Sequence, residues 1–166
     1  RFYYADYEGV TTRRISYAPS MGVTKILDEV EPEIKRSVSK FDAISVREEN
    51  AVSLLEPYSK YKPVVAVDPT LLLDSNDWAS ILPPTGAAPK SDYVLGFFIE
   101  GNFDHLHATK KFAKQKKMKY VFVPYSGLSY YQIGDRCADA GLEDLLELIR
   151  NARYVITDSF HITVFS

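Results

Sequence analysis

The sequence predicts an α/β protein made of two parallel-sheet units in succession. Three observations carry that reading. Short apolar runs such as VVAV, YVLGFFI and YVIT recur along the chain, amphipathic stretches of helical period separate them, and the pattern restarts after a segment dense in Pro, Gly and Ala. Strands that alternate with helices cannot close tight hairpins, so the simplest arrangement is a set of βαβ crossovers.

The elements follow in order. The first dozen residues, RFYYADYEGVTT, are aromatic-rich and ambiguous between strand and loop. Residues 14–17 read as a short strand entering a turn that holds Pro19, Ser20 and Gly22. Glu31-Pro32-Glu33 marks a helix start, because Pro fits the first turn and acids suit the positive end of the helix dipole. Ile34, Val38 and Phe41 follow at helical spacing. FDAISVRE is a strand with Arg47 at its carboxyl end, residues 50–59 a helix, and KPVVAVDP a buried strand halted by Pro69.

Residues 83–92 are the expected linker, which separates a unit over residues 1–82 from one over residues 93–166. In the second unit YVLGFFI is a buried strand, residues 105–117 a helix and KYVFVPY another strand. Leu142, Leu145, Leu146 and Ile149 lie at i, i+3, i+4 and i+7, which predicts an amphipathic helix. YVIT is a further buried strand, and the TDSFH turn then hands over to a helix. The six lysines of KKFAKQKKMK read as the solvated face of a helix.

Composition narrows the function. Hydrophobic content of 46% with 25% charged residues is that of a globular protein, and a net charge of -2 offers no basic field for nucleic acid or anionic membrane. The single cysteine, Cys137, excludes an internal disulfide and fits a reducing compartment. No apolar run approaches the ~20 residues that span a bilayer, and no signal peptide is visible. The chain opens on Arg1 rather than Met and ends on an apolar stretch, so it reads as an internal fragment of a longer protein.

In open parallel sheets ligands bind beyond the carboxyl ends of the strands. Arg47, Asp68 and the Asp158-Ser159-Phe160-His161 turn all fall at such ends, as does the turn with Ser20 and Gly22. A guanidinium there can grip carboxylate or phosphate in two-pronged fashion, or it can pair with Glu48, Glu49 or a nearby helix acid. An imidazole is by its nature suited to proton transfer at neutral pH, so His161 can act as a general acid or base; equally, Asp158 or Ser159 can cap the next helix while the imidazole packs. Asp68-Pro69-Thr70 reads as structural, with the carboxylate bonding local amides. His105 and His107 lack a third ligand at metal spacing.

Taken together, ISYAPSMG (15–22), FDAISVREENAVSLL (41–55), VAVDPTLLLDSNDW (65–78) and LLELIRNARYVITDSFHITVFS (145–166) resemble the polysaccharide pyruvyl transferase family. The segments occur in the family's order over about half of the chain, and the TDSFH…TVFS ending is the most specific. The resemblance implies two Rossmann-like domains arranged as in the glycosyltransferase-B fold. Residues 1–82 would then be the carboxyl-terminal part of the first domain, residues 93–166 the amino-terminal part of the second, and the active site would lie in the cleft between domains. It further implies transfer of pyruvate from phosphoenolpyruvate to a sugar of a polysaccharide or its precursor, as a ketal, with no metal or organic cofactor.

By the same resemblance His161 and Arg47 are the expected catalytic residues, with Ser20, Gly22, Asp158, Ser159, Phe160 and Thr163 at substrate-binding positions. The expected partners are phosphoenolpyruvate and a saccharide acceptor, free or lipid-linked, without nucleic acid. The expected place is the cytoplasm, at the inner face of the membrane. One position departs from the pattern: many members carry Gly after the His, and this chain has Ile162. A nucleotide-sugar glycosyltransferase of similar architecture and an inactive saccharide-binding relative are the alternative readings.

Overall fold

The computed structural model describes residues 9, 11–100, 103–125, 135–136 and 140–166. Most of the opening aromatic run, and Cys137, lie outside the described residues. The chain divides into two compact units, Arg1–Leu72 and Leu73–Ser166.

The first unit holds a parallel sheet of β1 (Ile15–Ser16), β2 (Ala43–Val46) and β3 (Val64–Val65) in that spatial order. Helix α1 (Glu31–Val38) connects the first two strands, and α2 (Glu49–Leu55) the second pair. Pro32 sits at the start of α1 with Glu31 and Glu33 in its first turn, as the sequence predicts. Ile34 and Val38 of α1 pack with Ile44 and Val46 of β2 and Val52 and Leu55 of α2 into one apolar cluster.

Two expectations are corrected here. The helix predicted over residues 50–59 stops at Leu55 and tightens into a 3-10 turn, Glu56–Tyr58. Pro57 cannot donate the backbone bond that α-helix continuation needs. The run VVAV is a strand for only two residues and is not buried: Val64 is 60% and Val67 55% exposed. It forms the edge of the described sheet, so an apolar run that looks like a core strand has a partner on one side alone.

The second unit opens with a helix that the strand–helix reading did not resolve, α3 (Ser75–Ile81). Its start is fixed by a reciprocal cap in which the Asp74 carboxylate accepts from the amides of Asn76 and Asp77 while Asp77 accepts from the amide of Asp74. The segment over residues 82–92 belongs to this unit. Ala87 and Ala88 pack against its core, and the Glu147 carboxylate accepts from the amides of Gly86 (2.9 Å) and Ala88 (3.4 Å). The boundary between compact units therefore falls before the proline-rich segment.

Four parallel strands follow: β4 (Tyr93–Phe98), β5 (Lys119–Pro124), β6 (Asp135–Arg136) and β7 (Tyr154–Thr157), in spatial order β6-β5-β4-β7. Helix α4 (Phe103–Gln115) joins β4 to β5, α5 (Leu142–Asn151) joins β6 to β7, and α6 (Phe160–Phe165) follows β7. The order is that of the first four strands of a doubly wound, Rossmann-like sheet: the chain builds outward from β4, then returns to its other side. Strand alternation sorts the core accordingly. Tyr93, Leu95 and Phe97 pack with Leu148, Ile149 and Ile162 of α5 and α6. Phe98 packs with Phe122 and with Leu106 of α4.

All six residues of β4 are buried, because it has a strand on each side and helices on both faces. Leu95 and Leu148 are completely excluded from solvent and contribute about 1.5–3 kcal/mol each. β7 was expected to be buried and is instead half-exposed, at the edge of the described sheet. Of the predicted apolar stripe on α5, Leu148 and Ile149 are buried, Leu145 and Leu146 pack at the core margin, and Leu142 is 56% exposed in the first turn. The lysines of α4 are exposed, as expected for a solvated face.

Candidate functional site

The polar residues read from the sequence fall into two groups, one in each unit. In the first, the turn after β1 is stitched to the end of β2. The Ser45 hydroxyl accepts from the Ala18 amide (2.9 Å) and donates to the Ser16 carbonyl (3.2 Å). The Arg47 amide donates to the Pro19 carbonyl at 3.2 Å. Ser20 then donates its hydroxyl to the Glu48 carboxylate, and Asn50 holds the Val23 carbonyl at 2.9 Å. Gly22 supplies the left-handed backbone this turn needs, at φ 63°. Ser20 and Gly22 thus lie on a loop fastened beside Arg47.

Arg47 pairs with a residue distant in sequence. Its guanidinium is ion-paired with Asp68, beyond the end of β3, and only 20% of the Arg47 side chain and 5% of the Asp68 side chain are exposed. Parallel pairing of Val46 with Val65 brings the two strand ends side by side. Asp68 also accepts from the hydroxyl (2.7 Å) and amide (3.0 Å) of Thr70, which caps the 3-10 turn Pro69–Leu71. The Thr70 hydroxyl, the Thr70 amide and the Arg47 charge together hold the Asp68 carboxyl down at about 2, against the opposing effect of burial. Ionised at neutral pH, Asp68 keeps the guanidinium fixed.

In the second unit the turn after β7 carries the other group. Thr157 accepts the Ser159 amide on its hydroxyl (2.9 Å), and buried Ser159 caps α6 by accepting from the Ile162 amide (3.4 Å). Thr163 returns its hydroxyl to the Ser159 carbonyl at 2.9 Å. Phe160 is 50% exposed and His161 is exposed, with the imidazole edge-on to the Phe160 ring at 5.4 Å. Asp158 reaches across to β4, its two carboxylate oxygens accepting from the amides of Ile99 (2.7 Å) and Glu100 (3.1 Å).

Ile162, the departure from the expected glycine, is 4% exposed and joins the cluster of Leu95, Val121 and Leu148. Its branched side chain anchors α6 to the sheet, while the neighbouring imidazole is exposed. The cap role foreseen for Asp158 or Ser159 falls to Ser159. The sequence offers Glu48 as a partner for Arg47 rather than for Ser20, and gives no sign of Ile99 and Glu100; all three join the groups through contacts between segments distant in the chain.

A groove of about 810 Å³ lined by Trp78, Pro83, Arg150, Arg153 and Phe165 lies in the same unit, but at the amino end of β7. Ligands of parallel sheets sit beyond the carboxyl ends of the strands, whereas this groove lies at the other end. Among the described residues no cluster of His, Cys, Asp and Glu is arranged to hold a metal ion, and no helix is long and apolar enough to cross a membrane.

No curated protein and no solved structure matches the chain. A family model does, over nearly its whole length. With parallel-sheet units in tandem and polar groups gathered at strand carboxyl ends, the chain belongs to the polysaccharide pyruvyl transferase family, whose model matches residues 2–166.

Proposed function

We propose that the protein takes part in transfer of a pyruvyl group from phosphoenolpyruvate to two hydroxyls of a saccharide acceptor, with His161 and Arg47 as its catalytic residues. The family membership supports the reaction class and the saccharide acceptor. The observation that carries the residue assignment is the β7–α6 turn: Ser159 and Ile162 are buried and fixed, and the imidazole between them is exposed.

The chemistry balances without a redox partner. The methylene carbon of the enol phosphate gains a proton, which leaves C2 electron-poor. One sugar hydroxyl adds at C2; a second then displaces the phosphate, so two C–O bonds form and the bond from C2 to the phosphate oxygen breaks. The hydroxyls lose two protons in all, one matched by the new methyl group and one carried off on phosphate. His161 is suited to deliver the first proton or to accept one from a hydroxyl. Arg47 is suited to hold the donor's carboxylate or phosphate. Its pairing with Asp68 leaves a fork whose orientation is already set.

Burial of Ile162 in the core speaks against taking its branched side chain as the mark of an inactive saccharide-binding relative. The test is His161→Ala in the full-length protein, with phosphate release from phosphoenolpyruvate followed alongside thermal unfolding. Loss of a proton-transfer group should lower turnover by ~10²–10⁴-fold with little change in melting. A variant that melts early yet turns over normally at low temperature makes His161 structural. Phosphoenolpyruvate that fails to bind where a nucleotide sugar does would return the glycosyltransferase reading.

A further inference from the structure

We infer that Asp158 is a positioning residue: its carboxylate locks the carboxyl end of β4 onto the turn that carries His161 and does not itself bind substrate. The link to catalysis rests on the pyruvyl-transfer reading above. The lock itself rests on geometry alone.

The ladder between β4 and β7 ends at the pair Phe97 and Thr157. Beyond it the two chains part, β4 towards α4 on one face of the sheet and β7 towards α6 on the other. This is the switch point of the sheet, where two strand ends diverge and leave amides without ladder partners. Asp158 fills that place. One carboxylate oxygen accepts from the Ile99 amide at 2.7 Å and the other from the Glu100 amide at 3.1 Å, 59 and 58 residues away in the chain.

Charge-assisted bonds are stronger than neutral ones; these two lie at an exposed site, so their effect is local to the turn rather than on global stability. Each oxygen already carries a backbone bond, so a sugar hydroxyl or donor group would have to share the carboxylate with contacts already made. They also place the chain's own anion where an anionic ligand of a parallel sheet would otherwise meet free amides. The donor's phosphate and carboxylate must then be held elsewhere.

The position of His161 follows from a short series of contacts. Thr157 holds the Ser159 amide, Ser159 caps α6, and Ile162 is sunk in the core. Asp158, in the middle of that series, fastens the turn to the neighbouring strand end. Loss of its carboxylate should let the turn and the residues after β4 shift independently, displacing the imidazole.

Asp158→Ala and the gentler Asp158→Asn, made in the full-length protein, test this by amide hydrogen exchange, His161 ring signals in NMR and steady-state kinetics. The expected result has three parts. Exchange at Ile99 and Glu100 speeds up by tenfold or more in Asp158→Ala, the His161 signals move, and kcat falls by ~10–10²-fold while KM for donor and acceptor stays within about twofold. Asp158→Asn keeps one acceptor oxygen and should fall in between.

Unchanged exchange at both amides would overturn the lock. A raised KM with kcat preserved would make Asp158 a substrate ligand, and unmoved His161 signals would make the lock irrelevant to the imidazole. Exchange and ring signals need no turnover, so both decide the inference even if His161→Ala shows that the pyruvyl-transfer reading is wrong.

Discussion

Each unit places an aspartate beyond the carboxyl end of a strand, and the two are used differently. Asp68 answers a charge: it pairs with Arg47 from the neighbouring strand and caps its own turn through Thr70. Asp158 answers backbone: it collects two amides from the end of β4. The sheets explain the contrast. In the first unit β1 and β3 have only two ladder residues each and β3 is largely exposed, so side-chain charge fastens the strand ends. In the second, β4 and β5 pair over six residues inside a closed core, and the carboxylate need only hold the place where the ladder stops.

The largest expected effect tests that contrast in the first unit. Asp68→Ala removes the partner of a mostly buried guanidinium together with two bonds from Thr70, and should destabilise the unit by about 1.5–3 kcal/mol. Acid should act in the same direction. Asp68 is held below its ordinary range, so its contribution is complete above about pH 4 and is lost as pH falls towards about 2. Thermal unfolding of wild type and Asp68→Ala between those limits checks it: the gap between them should narrow as pH falls. A gap that stays constant would mean that ionisation of Asp68 does not hold Arg47.

That partnership was invisible in the sequence. Glu48 and Glu49 stand beside Arg47, but they start a helix, whereas Asp68 is 21 residues away and arrives only through parallel pairing of β2 with β3. The amides held by Asp158 were hidden for the same reason. What the residues do reveal is local: the uninterrupted apolar run of β4, the helical period of α5, Pro32 at the start of α1. The position of Arg47 and the DSFH turn at strand ends was legible, because a strand and its terminus are local features. Whether VVAV and YVIT were buried was not, since burial depends on neighbours that periodicity cannot show. The start of α3 did leave a signal in Asp74 and Asp77, three residues apart, but the helix is too short and polar to show a period.

An intermediate effect is expected inside the second unit, where packing replaces charge. Gly96 in β4 lies beneath the Tyr120 ring; a Cβ there would come within 2.9 Å of the phenol oxygen and 3.0 Å of a ring carbon. Gly96→Ala must push that ring aside and should cost about 1–3 kcal/mol. Among the described residues the buried Tyr120 hydroxyl has no hydrogen-bond partner, and burial raises its pKa. Tyr120→Phe should therefore be close to neutral, because the lost oxygen leaves nothing unpaired. Combining the two should recover part of the Gly96→Ala loss. If the double variant is no better than Gly96→Ala alone, backbone crowding rather than the phenol oxygen limits this position.

The smallest effect is expected at Glu147, a second carboxylate that collects distant amides. It accepts from the amides of Thr85, Gly86 and Ala88 and from the Thr85 hydroxyl, joining α5 to the segment before β4. Gly86 makes the tight turn possible at φ 83°. The Thr85 amide is the main reason its pKa is lowered, so its contribution is present above the ordinary glutamate range and fades as pH falls through the lowered value. Its bonds at Thr85 and Gly86 lie at an exposed site, where water competes for both partners. Glu147→Gln should speed exchange of the Thr85–Ala88 amides and leave global unfolding almost unmoved. Asp68→Ala, by contrast, should lower the unfolding transition itself. Were Glu147→Gln to destabilise the chain as much as Asp68→Ala, amide-collecting carboxylates would be as costly to lose as the buried ion pair, and the distinction between the two units would fall.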